Sequence, residues 1–240
     1  MATLQRYVSK ELTHFVGQQL REEGIKKEEF EEKQYNLLLK ILTDGELRSS
    51  TPDKGELRIH LTARMSDNKM YIHHTVCFCD IPVNDLDIHM KKYSRFGLSF
   101  LKSFLVQKGA SPVFYIAKNS IINTGNLKNR SDYFDEMISE CQKFLNQMII
   151  HKNVDMELES KKWFNLWEFL NRFVFSFMKF FDDKKPDDSE DNYYMEREWR
   201  IVGDLDFELN DVYRVILPER FAERFRKDMP NYMRQITFAE

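Results

Sequence analysis

The segment Glu196-Arg197-Glu198-Trp199-Arg200 sets two carboxylates and two guanidiniums within five consecutive residues, at the start of a β-prone run. Burying such charges is costly unless they pair. Side chains alternate along a strand, so Glu196, Glu198 and Arg200 would share one face while Arg197 and Trp199 take the other. One face would then carry two carboxylates beside a cation, a set able to stabilise developing positive charge or move a proton. An exposed strand edge with self-neutralising pairs is the plainer outcome of the same residues.

His14, in Leu12-Thr13-His14-Phe15-Val16, is a second candidate. A single histidine on a strand is equally consistent with a hydrogen-bonded structural group. A third run, His73-His74-Thr75-Val76-Cys77-Phe78-Cys79-Asp80 with His89 downstream, holds metal-ligand types. One residue separates Cys77 from Cys79, whereas zinc sites leave two to four between such ligands. No metal is therefore expected, and buried thiols on a strand are. Finally, Lys91, Lys92, Arg95 and Lys102 flank Tyr93, Phe96 and Phe100. Such a mixture can hold a phosphate or stack a base; a solvated helix face is the alternative.

Elements must position these groups. Strands are predicted at Leu12–Val16, His73–Asp80, Pro112–Ala117, Trp199–Val202 and Val212–Leu217. Helical spacing runs through Gln34–Leu42, stopped by Asp44-Gly45, and through Leu86–Tyr93. The Glu- and Lys-rich stretch Arg21–Lys33 reads as solvated, and Ser49–Gly55 as a polar turn. Phe134, Met137, Ile138, Cys141, Phe144, Leu145, Met148 and Ile149 form one apolar stripe on a helix of about five turns. A second, aromatic helix spans Trp163–Phe181, an acidic loop Asp182–Asn192, and a last helix follows Pro218. The expected class is α+β, a compact mixed sheet in a single domain, 1–240, with a helical insertion and acidic loop at 132–192.

Composition narrows the function classes. The 240 residues carry a formal net charge of −3, so no global field draws the chain to nucleic acid and any contact would be local. Aromatic content is 14%, with only 8 Gly and 6 Pro, favouring a helix-rich body around a sheet. Three cysteines make no disulfide framework, and the first ten residues lack the apolar core of a signal peptide. A cytoplasmic protein is expected. The aromatic run at Trp163 carries Glu168, Arg172 and Lys179, each costing roughly 2.5–3.5 kcal/mol at mid-bilayer, so no membrane span is expected. No glycine-rich phosphate loop occurs, which removes kinase and Rossmann readings.

Taken in order, Leu12-Thr13-His14-Phe15, Leu39-Lys40-Ile41-Leu42-Thr43-Asp44-Gly45, Val76-Cys77-Phe78-Cys79-Asp80-Ile81-Pro82, Phe96-Gly97-Leu98-Ser99-Phe100, Pro112-Val113-Phe114-Tyr115-Ile116 and Glu196-Arg197-Glu198-Trp199-Arg200-Ile201 resemble the AbiGi family of phage-resistance proteins. That resemblance implies an abortive-infection, toxin–antitoxin role, members having been labelled antitoxins to a nucleotidyltransferase-like partner. The same order is also similar to ADP-ribosyltransferases of the DarT kind. This second resemblance implies NAD as substrate, an ADP-ribosyltransferase-like sheet, and RNA or DNA as the modified target. It assigns His14 to the NAD ribose, Glu198 to catalysis, and Tyr93 and Arg95 to nicotinamide and pyrophosphate, with Glu196 competing for the catalytic place. No Ser-Thr-Ser strand of the Arg-modifying class is found. Two functions stand side by side: an NAD-dependent transferase, expected first, and a non-catalytic antitoxin that binds and neutralises a partner toxin.

Overall fold

A computed structural model describes residues 9–21, 24–49, 74–125, 133–150, 157–186, 189 and 192–239. The elements in order are β1 Glu11–Phe15, α1 Lys27–Asp44, β2 Glu46–Leu47, β3 Thr75–Cys79, α2 Asp87–Lys92, β4 Gly97–Leu101, α3 Lys102–Gln107, β5 Ser111–Pro112 and β6 Phe114–Ala117. There follow α4 Ile121–Thr124, α5 Tyr133–Ile150, α6 Glu157–Phe169, β7 Met178–Phe181, β8 Glu198–Val202, β9 Leu205–Asp206, β10 Val212–Pro218, α7 Ala222–Asp228 and β11 Gln235–Ala239. The mixed α+β class expected from the sequence is what forms. By contact the chain divides into two compact units. One comprises 1–49, 76–111 and 196–240, the other 50–75 and 112–195. His73, most of the Ser49–Gly55 turn and part of the acidic loop lie outside the described residues.

The first unit is built on a seven-stranded sheet of order β11-β10-β4-β1-β3-β8-β5. Its β1–β3, β1–β4 and β10–β4 pairings are antiparallel, while β10–β11 is parallel. Alternation sorts the side chains. Leu12, Val76, Phe78, Leu98, Phe100, Val215 and Leu217 join Tyr35, Leu38 and Leu42 of α1 and Phe221 and Phe225 near the C-terminus in the main core. Cys79, Ile216 and Ala239, with Phe15 beside them, face the opposite side and meet Leu86 and Met90. Both faces are thus covered. A one-residue slip would exchange the two sets, so the register is strongly fixed. Gly45 ends α1 in the left-handed region (φ 68°) and donates its N–H to Ile41, satisfying one of the helix's open carbonyls.

Three differences from the sequence expectation have physical causes. Helix α1 begins at Lys27, because the charged stretch expected to be solvated still buries Glu31 and half-buries Phe30. Strand β4 fills 97–101 with Gly-Leu-Ser-Phe-Leu; Gly97 to Phe100 are all buried and only Leu101 is exposed, so no polar–apolar alternation shows. Likewise β11 is an edge strand that pairs with β10 across the intervening helix α7, so no adjacent run marks its partner.

In the second unit, β6 and β7 pair in parallel, from Phe114↔Met178 to Ala117↔Phe181. The aromatic run expected as one helix divides instead: α6 stops at Phe169, a π-helical stretch covers Leu170–Val174, and β7 takes Met178–Phe181. Its tail, ending in Phe180 and Phe181, favours a half-buried strand paired with β6. Ile116, Phe175 and Phe180 form a small core, against which Phe134, Ile138, Leu170, Val174 and Met178 pack. Among the described residues no helix is long and apolar enough to cross a membrane.

Candidate functional site

In the first unit, Tyr93 caps the C-terminus of α2 and its hydroxyl donates to Glu196. Lys92 Nζ reaches the same carboxylate at 2.7 Å. Arg197, at φ 43°, turns the chain between the Tyr193–Glu196 3-10 helix and β8, so the segment lies at the start of β8, which begins at Glu198. Glu198 is 5% exposed, and Arg200 Nε binds it at 2.7 Å. Asp80 takes Lys102 at 2.8 Å and Arg197 at 3.7 Å. Glu196, Glu198 and Asp80 are thus buried and each matched by a cation, which is the arrangement burial demands.

His89 lies beneath this group at 3% exposure, and neither ring nitrogen has a hydrogen-bond partner among the described residues. Phe15 stacks on both His89 (6.2 Å) and Tyr93 (6.0 Å). Burial holds the His89 pKa below its ordinary value, with Glu196 opposing and Lys92 reinforcing. Burial likewise raises the Tyr93 phenol, helped by Glu196, so it stays protonated and donating. The Cys79 thiol is pushed up to about 12, chiefly by burial.

His14 goes elsewhere. It pairs across the sheet with Leu98 and sets its ring edge-on to Phe78 at 5.8 Å, both main-core residues. Its Nδ1 bonds to the Cys77 carbonyl at 2.8 Å, and burial lowers its pKa against that bond. On β8, Trp199 and Ile201 pack on the main core. Glu198, one residue out of phase, therefore faces away from it. The sheet separates His14 from Glu198, putting them on opposite faces with β3 between their strands.

Tyr93 and Arg95 do meet, in the walls of a cleft of about 460 Å³ that neither His14 nor Glu198 lines. Arg21, Lys27, Phe30 and Glu31 from the charged stretch form its other side. That stretch, expected to be solvated, turns inward at Phe30, one turn before the buried Gln34 and Tyr35, and this apolar residue is its signal in the sequence. Of the other basic candidates, Lys92 and Lys102 are engaged by carboxylates, and Phe96 and Phe100 are wholly in the core. Among the described residues no group of three His, Cys, Asp or Glu could hold a metal ion.

The second unit presents a different kind of surface. On α6 and the π-helical stretch, Phe164, Phe169 and Phe173 are 50%, 53% and 52% exposed. On α5, Phe134 and Ile138 pack inward while Met137 and Phe144 stay half-exposed. The side chains of Leu145, Met148, Ile149, Trp163 and Trp167 lie outside those described. Exposed aromatics in such number mark an interaction surface more often than a solvated face.

A family model described as "Putative abortive phage resistance protein AbiGi, antitoxin" matches residues 64–238. The chain belongs to the AbiGi family. A curated relative, the abortive phage resistance protein AbiGi of Lactococcus lactis subsp. cremoris, is 29% identical over 145 residues, covering 54% of this chain and 51% of the relative. The chain thus spans about half the length of that AbiGi protein. No solved structure matches the chain. The AbiGi family is described as one of abortive phage resistance, and the likeness to DarT-type transferases gains no support from these matches.

Proposed function

We propose that this chain is a non-catalytic AbiGi antitoxin, which binds a partner toxin and silences it through the apolar surface of α5, α6 and the π-helical stretch. The observation that carries the reading is the set of half-exposed phenylalanines, Phe164, Phe169 and Phe173, on one helical arm. Large aromatic side chains that project from a helix supply the anchors around which protein interfaces concentrate their energy. A five-residue π-helical stretch within that arm fits a functional surface, since such bulges recur at functional sites. The family description, antitoxin, supplies the partner class.

A transferase of the expected kind needs a carboxylate and a ribose-holding histidine in one cleft. The opposite-face placement of Glu198 and His14, and the Arg200 contact on Glu198, favour the binding reading over that one. NAD as substrate and a nucleic-acid target go with the transferase and are set aside with it.

The test is complex formation with the accompanying toxin. Wild-type chain and toxin should co-elute on size exclusion. The Phe169→Glu/Phe173→Glu variant should weaken the complex by about 100-fold, the equivalent of roughly 2–3 kcal/mol expected for two anchors. Undiminished binding by a folded double variant would reject this surface.

A further inference from the structure

We propose that the cleft between the start of α1 and the segment following α2 binds a mononucleotide through its phosphate group. The proposal concerns the first unit alone and does not rest on the antitoxin reading. The cleft holds about 460 Å³, within the size range of small-molecule sites. Its walls carry four cations, Arg21, Lys27, Lys91 and Arg95, against two carboxylates, Glu31 and Asp87.

The two carboxylates do not cancel the four cations. Glu31 is already bound by Arg220, and Arg95 reaches it only at 3.4 Å. Asp87 sits in the first turn of α2, where the helix dipole favours a negative charge. Arg95 also keeps a buried Nε that has no hydrogen-bond partner among the described residues. Leaving a buried donor unmade carries a penalty that a ligand oxygen would remove. Arg95 Nη2 is held by the Ala239 carbonyl, so a phosphate oxygen would meet the remaining Nε–H and the weakly held Nη1 as a charge-assisted acceptor.

Ring-binding groups lie beside these cations. Tyr93 is held by its bond to Glu196 and its stack on Phe15, so its ring is already fixed before a ligand arrives. Phe30 lines the cleft with the Arg21 guanidinium 5.8 Å from its ring centre. Stacking of a base on such a ring contributes about 1–3 kcal/mol per base. A single nucleotide suits this volume, whereas the formal net charge of −3 gives no field to hold a polymer.

Titration of the full chain with the four ribonucleoside monophosphates and triphosphates, followed by calorimetry, tests this. Adenosine and inorganic phosphate serve as separate probes. At least one nucleotide should bind saturably with a 1:1 ratio, adenosine and phosphate each much more weakly, and added salt should weaken binding. Lys27→Ser/Lys91→Ser, both at exposed positions, should lower affinity about tenfold or more with an unchanged thermal midpoint. Arg95→Lys should shift affinity in the same direction. No saturable nucleotide binding, or binding unchanged in the folded Lys27→Ser/Lys91→Ser chain, would overturn the proposal. Inorganic phosphate binding as tightly as any nucleotide would overturn the ring contact.

Discussion

Arg200 sits 2.7 Å from the Glu198 carboxylate, and His89 sits nearby with two unpartnered nitrogens; these residues explain how the unit can bury so much charge. Glu198, Glu196 and Asp80 each have cations, whereas neither His89 nitrogen has a hydrogen-bond partner among the described residues and burial disfavours its charged form. The pKa values of His89 and His14 are both lowered by burial, so the unfolded chain takes up protons before the folded one as pH falls. Stability is therefore intact above the unfolded value of about 6.5 and lost progressively below it. We expect the thermal midpoint to drop between about pH 7.5 and about pH 5.5, and His89→Leu to make that drop shallower. Equal slopes in both proteins would contradict a neutral buried His89. The thiols give a second prediction at this scale. Cys77 is exposed, and Cys79 is buried with its pKa near 12, so iodoacetamide on the native protein should modify Cys77 and spare Cys79 until denaturant is added. Native labelling of Cys79 would refute the placement of β3.

Strand β3 itself illustrates what could be read at the scale of elements. The alternation in Val76-Cys77-Phe78-Cys79 was legible because one face is a core of large apolar groups and the other a smaller one. Helix α5 and the Asp44-Gly45 stop were legible for similar reasons, the first by its repeating stripe, the second by the glycine that a left-handed cap requires. Strands β4, β7 and β11 were not. Their pairing partners lie far along the chain, and β4 is buried on both faces, so no local pattern marks it. The candidate site was legible only as residue types. Tyr93, Arg95 and Glu198 stood out by type alone, but which face Glu198 takes depends on Trp199 and Ile201 meeting the main core. The pairing of Glu196 with Tyr93 spans 103 residues and leaves no sequence signal. Gly45 provides the test for the element reading. An added Cβ there would stand 2.7 Å from the Phe207 carbonyl oxygen at φ 68°. Gly45→Ala should cost about 2 kcal/mol by strain and displacement of the β2–β9 pair, measured as a lower denaturant midpoint at unchanged slope. A loss below a few tenths of a kcal/mol would mean the cap is not required.

On the scale of the whole chain, two units divide the work proposed for it. The first buries a two-faced sheet and a matched set of charges, and offers a cleft. The second, among its described residues, buries Ile116, Phe175 and Phe180 while leaving a row of phenylalanines half-exposed. Exposed rings at that density favour association, and the antitoxin wording of the family description is the basis of the partner proposed above. The central claim is that neutralisation comes from binding and needs no carboxylate chemistry. Growth of cells expressing the accompanying toxin, with this chain supplied as wild type, Glu198→Gln or Phe169→Glu/Phe173→Glu, tests it most directly, each variant first checked for folding by circular dichroism. We expect wild type and Glu198→Gln to restore growth alike and the double phenylalanine variant to fail. Rescue abolished by Glu198→Gln and retained by the double variant would contradict the claim and point back to catalysis at Glu198.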